Sequence, residues 1–262
     1  MGKVFSMRIS LQEFLPPIFL RLWGGVRRRL EQRYIKNFGG VIHPFDAVPL
    51  PASGVRWILD IGANRGDVAA AALRSYSNST VVCIEPVSHT FELLKMGLAP
   101  FGSRAILKNY AFSNFSGKGE INLTNLDGAN SILPQSKCHK EWNPHVVEQG
   151  KEEITLKRLD DEMVSFPTSI FDIVKIDVEG FELQVIQGGE VFFKDHVKSI
   201  LIEISFMRDI SLGEQCVFRI FSLLDKLGYA LVNFIDFYPG PKDSPHLRVA
   251  QVDCVFINTK FI

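Results

Sequence analysis

Cysteine is scarce in this chain. There are four among 262 residues, Cys83, Cys138, Cys216 and Cys254, and none forms a CxxC pair. That spacing excludes a zinc ribbon or a dithiol redox site. Cys83 and Cys254 lie in apolar, strand-like runs, where a reduced thiol packs as a small hydrophobe; this suits a cytoplasmic setting. An excess of charge is lacking too. Lys and Arg number 29, as do Asp and Glu. Without a basic field the chain is not expected to coat nucleic acid. Membrane-spanning runs are also missing. The nearest, Phe14 to Trp23, is broken by Pro16, Pro17 and Arg21, and it lacks the small-residue cleavage site of a secretory signal.

What is present is core-forming material. Hydrophobic residues make up 46 % of the chain. At this length folding removes roughly three quarters of the unfolded surface from water, so a disordered chain is excluded. The first fifty residues form a separate extension. Residues 11–38 read as a helix, with Phe14, Ile18, Leu22 and Val26 on one stripe and a basic cluster at Arg27, Arg28 and Arg29. Two readings fit this helix: it packs on the main domain, or it lies on the inner face of a membrane as a peripheral contact. Pro44, Pro49 and Pro51 mark a linker. The main domain then spans 51–262, with a polar insertion at about 125–150, long enough to be functional.

From Trp57 onward, apolar runs alternate with helical stretches. The runs begin at Trp57, Thr80, Ala105, Phe171 and Ser199. Helices are expected at about 67–75, after Pro86 with Ser88 as N-cap, near 182–187 up to Gly188-Gly189, and at about 213–227. Two strand-like runs, 229–237 and 250–257, close the chain around a Pro-Gly-Pro turn. This order predicts an α/β fold: a mostly parallel sheet with helices on both faces and a C-terminal antiparallel hairpin.

Ligands in such sheets bind beyond the carboxyl ends of the strands. Each apolar run here closes on a polar group: Asp60 before Gly62-Ala63-Asn64-Arg65-Gly66, then Glu85, Asn109, Asp177 with Glu179, and Glu203. The turn is G-x-x-x-G and lacks the further glycine of a dinucleotide fingerprint. Asp60 and Asp67 flank it and would repel a pyrophosphate. A ligand without phosphate, S-adenosylmethionine, fits better. Glu85 can accept both ribose hydroxyls, a device that nicotinamide enzymes share. A nicotinamide-dependent oxidoreductase and a non-catalytic binding module are therefore the rival readings.

The sequence resembles the FkbM family of S-adenosylmethionine-dependent methyltransferases. The resemblance is carried by Leu59 to Asp67, Ile84-Glu85-Pro86, Asn109 to Ser113, Leu159-Asp160-Asp161 and Leu201-Ile202-Glu203, and above all by Val174-Lys175-Ile176-Asp177-Val178-Glu179-Gly180-Phe181-Glu182. It covers about residues 55–206. It implies a class I methyltransferase fold and transfer of a methyl group to a hydroxyl of a saccharide, glycolipid or secondary metabolite, so the partner is a small-molecule or glycan acceptor. The expected cofactor-binding residues are Asp60, Gly62, Ala63, Asn64, Gly66, Glu85, Pro86, Asn109 and Ala111. The expected catalytic residues are Asp177, Glu179, Lys175 and Glu203.

The fourth run also speaks physically. Ile173, Lys175 and Asp177 share a strand face, and a lysine inside a central strand needs a partner. Glu203, on the neighbouring run, is the expected one. Asp177 and Glu179 are placed to take a proton from an acceptor hydroxyl, while His139 and His145 sit in the insertion that could cap the site. Asp177, Glu179 and Glu203 could together hold Mg²⁺, but the spacing is not diagnostic and no metal is assigned. The oligomeric state is not encoded in any of these patterns.

Overall fold

The structure is a computed structural model that describes residues 44–50, 54–135, 140, 143–206, 216–239 and 249–262. The expected helix at 11–38, and its two readings, lie outside the described residues. Strands β1 (Trp57–Ile61), β2 (Thr80–Ile84), β3 (Ala105–Lys108), β7 (Phe171–Ile176), β8 (Val197–Ser205), β9 (Tyr229–Pro239) and β10 (Val249–Asn258) form one sheet in the order β3-β2-β1-β7-β8-β10-β9. All neighbours are parallel except β10, which runs antiparallel to both β8 and β9. The insertion of the last strand between β8 and β9 makes the sheet that of a class I methyltransferase and not the 3-2-1-4-5-6 sheet of a dinucleotide-binding domain.

Central strands of a parallel sheet are covered on both faces, so they read as continuous apolar runs. β7 is buried along its whole length and β1 along its last four residues. The described residues include helices α1 (Asp67–Ser75), α2 (Ser88–Leu98), α3 (Leu159–Glu162), α4 (Glu182–Gln187), α5 (Glu190–His196) and α6 (Cys216–Lys226). One core cluster gathers Leu59, Val174, Ile186, Phe193, Ile202 and Leu224; another gathers Ile58, Val81, Leu73, Leu94 and Ile173.

Several expectations change here. Residues 44–50, expected as linker, belong to the core: Phe45 and Val48 are buried, and the Tyr76 hydroxyl donates to the Phe45 carbonyl. Ser88 does not cap α2. Its hydroxyl and its backbone N–H both donate to the Glu152 carboxylate, and Val87 holds the N-cap position. The region around the insertion carries a second sheet, β4 (Ala111–Phe112), β6 (Glu148–Lys157) and β5 (Gly117–Thr124), in the order β4-β6-β5. β5 and β6 pair antiparallel, so residues 125–147 are the long connection of a hairpin.

Buried Asp172 organises the start of the sheet. One oxygen accepts from the backbone N–H groups of Arg56 and Trp57, and the other accepts from Lys198 Nζ at 2.7 Å. Three strands are thereby clamped by one carboxylate. Among the described residues, no helix is long and apolar enough to cross a membrane.

Candidate active site

The carboxyl ends of β1, β2 and β7 open into a cleft of about 700 Å³, its mouth included. A second opening of about 860 Å³ adjoins it and shares Gly62, Asn64, Asp127, Gly128 and Asp177 with it.

Glu85 follows β2 and lines this cleft. Its Oε2 accepts from Asn64 N at 3.0 Å and its Oε1 from Val87 N at 2.9 Å. Burial pushes its carboxyl up to about 7, despite these two bonds, with a smaller push from Asp60 and Asp127. Pro86 and Ala111 line the same cleft beside Ile84, Val87 and Phe112, which supply an apolar wall. Asn109 stands apart. It is exposed, and its Nδ2 donates to the carbonyls of Glu85 and Pro86, so it secures the turn that presents Glu85.

The glycine turn follows β1. The N–H groups of Gly62 and Ala63 both donate to the Ile84 carbonyl. Gly62 has φ +84°, and a Cβ there would lie 1.9 Å from the Asp177 carbonyl oxygen. Gly66, at φ +86°, would drive a Cβ to 2.6 Å from Leu94 Cδ1. These glycines answer to the protein's own backbone and to α2. At both positions a side chain would collide with the protein itself, and the Gly62 backbone lines both openings. Ala63 and Asn64 line the second opening.

Behind the turn sits Asp60, fully buried on β1. Neither of its carboxylate oxygens accepts a hydrogen bond, and neither does the buried Asn64 Oδ1. Burial raises the Asp60 carboxyl, and Lys175, whose Nζ is 3.9 Å from Oδ1, opposes this.

Lys175 corrects the sequence reading. Its expected partner was Glu203. The register instead sets Lys175 opposite Asp60 on β1 and Leu201 on β8. Its Nζ donates to Asp177 Oδ2 at 2.8 Å. The two acids overcome burial and hold the Lys175 ammonium charged well above the usual lysine range. Glu203 lies beyond this pair, and its carboxylate gathers with those of Asp177 and Glu179 within 4.8 Å. Burial, then the charges of Asp177 and Glu179, push the Glu203 carboxyl well up.

Glu182, the last acid of the signature, had been given no role. It is buried, and its Oε1 accepts from the N–H groups of Val178 and Gly180. It thereby holds the turn in which Glu179 and Gly180 take φ +56° and +98°. The Leu159-Asp160-Asp161 motif is likewise structural in part, since Asp160 accepts from the N–H groups of Val191 and Phe192 in the first turn of α5. Asp127, Gly128 and Asn130 of the insertion also line the cleft. The Asp-Gly pair, a turn signal, was the sequence cue to them. His145 is exposed and lines neither opening, and His139 lies outside the described residues.

A methyltransferase FkbM domain model matches residues 60–231. The chain belongs to the FkbM methyltransferases. Methyltransferase sdnD of Sordaria araneosa is 26 % identical over 198 residues, 67 % of this chain and 75 % of that protein. 2-O-methyltransferase NoeI of Sinorhizobium fredii (strain NBRC 101917 / NGR234) is 28 % identical over 139 residues, 51 % of this chain and 57 % of that protein. Among solved structures, a Methanococcus jannaschii fibrillarin pre-rRNA processing protein aligns with a TM-score of 0.47 and 15 % identity, over 79 % of this chain and 68 % of that one. For an FkbM methyltransferase, the residues at the strand ends fit an S-adenosylmethionine molecule. Glu85 offers hydroxyl acceptors beside an apolar wall, and the orphaned Oδ1 of Asn64, a residue that lines both openings, lacks the donor that a ligand ammonium carries. Membership in this family displaces the oxidoreductase reading.

Proposed function

We propose that this methyltransferase uses S-adenosylmethionine and transfers its methyl group to a hydroxyl oxygen of a saccharide, glycolipid or secondary metabolite. One observation carries the reading: Glu85 and the Lys175–Asp177 pair open onto the same continuous cleft, an acceptor of hydroxyls at one end and a positioned carboxylate at the other. The name of the relative NoeI supports oxygen as the methylated atom. When bound, S-adenosylmethionine supplies an electrophilic methyl on a sulfonium.

The chain's own residues do the rest. Each Glu85 oxygen keeps a lone pair after accepting from Asn64 and Val87, so both can take a ribose hydroxyl. Ile84, Val87, Ala111 and Phe112 flank an aromatic base. Asp177 gives Oδ2 to Lys175 and keeps Oδ1 for an acceptor hydroxyl, whose proton it takes as the oxygen becomes nucleophilic. Lys175 fixes the orientation of that carboxylate, and Glu182 fixes the loop that carries it.

The test is incubation with methyl-labelled S-adenosylmethionine and a panel of saccharides and host glycolipid extracts, read by mass spectrometry. Labelled O-methyl ethers are expected. Label on nitrogen or carbon, or none with any acceptor, would overturn the reading. Asp177→Asn should lower turnover about 10²-fold or more, with S-adenosylhomocysteine affinity within about twofold of wild type. A full rate in the folded variant would remove Asp177 as the base.

A further inference from the structure

The cleft has a roof made by the insertion. Residues 124–131 form a tight loop closed at its base, where Asn122 and Ser131 exchange backbone hydrogen bonds at 2.8 and 3.2 Å. Within the loop, Asn130 Oδ1 accepts from Thr124 N, and the Thr124 hydroxyl donates to the Leu126 carbonyl. The loop is therefore a preformed unit, and Asn125 fixes its start to the other arm of the hairpin through Val147 and His145, which leaves the tip at 126–130 as the part that can swing.

Two ties hold this unit across the cleft. At its tip, Arg65 of the glycine turn donates from Nε at 2.8 Å and Nη2 at 2.5 Å to Asp127 Oδ2. At its base, the Ser131 hydroxyl donates to the Glu179 carbonyl at 2.8 Å. The ties differ in kind. The Arg65 side chain is 58 % exposed and that of Asp127 21 %, so solvent reaches the pair from the Arg65 side and it is cheap to break. Ser131 is buried, so its bond is costly to leave unmade. The tip is the latch and the base is the hinge. A ligand reaching from Glu85 to Asp177 lies in the cleft that Asp127 and Gly128 also line, and both residues line the second opening as well.

We propose that residues 126–130 are a gate over the methyl-donor site, latched by Arg65–Asp127 and hinged at Ser131–Glu179, and that it must open for the ligand to enter or leave. The proposal rests on the S-adenosylmethionine reading. Breaking the latch raises the open fraction and speeds both directions of exchange.

The experiment follows association and dissociation of S-adenosylhomocysteine by surface plasmon resonance on the full chain. Asp127→Asn and, separately, Arg65→Gln should each raise both rates by about three- to fivefold, the range an exposed ion pair supports, with Kd changing less than either rate. High salt should speed both rates in wild type and in neither variant. Unchanged rates in variants that bind normally would overturn the gate. So would faster release with unchanged association, because the loop would then merely grip a ligand that arrives by another path. Wild-type chain that binds no S-adenosylhomocysteine would overturn the cofactor reading and the gate with it.

Discussion

Ligand affinity should depend on pH through Glu85. Its carboxyl titrates near 7 in the free protein because burial outweighs two backbone hydrogen bonds. The ionised form accepts two ribose hydroxyls, and the protonated form has lost one of those acceptors. If only the ionised fraction binds, the apparent Kd is the intrinsic Kd divided by that fraction. The fraction is about one half at pH 7 and about one tenth at pH 6, so affinity falls roughly twofold and then tenfold below its plateau at high pH. Binding at pH 7 should release about half a proton. Calorimetry with S-adenosylhomocysteine in buffers of different ionisation enthalpy measures both quantities. Glu85→Gln should abolish the slope, which separates Glu85 from the other raised carboxyls, Asp60 and Glu203. The stability sign is the reverse of the usual carboxylate case. The folded carboxyl holds its proton between the unfolded value of 4.5 and about 7, so this group's contribution to stability falls as pH rises through that window. A wild-type Kd that stays constant from pH 5.5 to 8.5 would refute the reasoning.

Two further outcomes concern the frame of the site. Gly62→Ala should cost roughly 2–4 kcal/mol of stability or yield no folded protein, through positive φ and collision with the Asp177 carbonyl; a urea melt within 0.5 kcal/mol of wild type would show that the turn can shift. Asp172→Ala should cost roughly 2–4 kcal/mol, because two backbone N–H groups and Lys198 lose their acceptor; thermal unfolding checks this, and S-adenosylhomocysteine affinity per folded molecule should stay near wild type.

The sequence by itself determined the frame of this methyltransferase. Parallel strands buried on both faces must be apolar along their length, so β1, β2, β7 and β8 are visible as runs, and the polar residue closing each run marks the ligand edge. β5 and β6 escaped that logic. They carry glycine and charge along half-exposed stretches, and their buried side chains are few: Ile121 and Thr124 on one, Ile154 and Leu156 on the other. The alternation of Ile154 and Leu156 was the signal available. Tertiary structure alone decided the pairings. Strand register, a property of two distant segments, set Lys175 opposite Asp60, whereas Asp177, two residues on along the same face, was within local reach; Glu203 was left among acids. The constraint that makes position 62 a glycine is the Asp177 carbonyl, 115 residues away in the chain. The reach of Asp127 across to Arg65 depends on a hairpin whose partners lie more than twenty residues apart. Local pattern encodes which residues are buried; which buried or cleft-lining groups meet is fixed only when the strands are ordered and aligned.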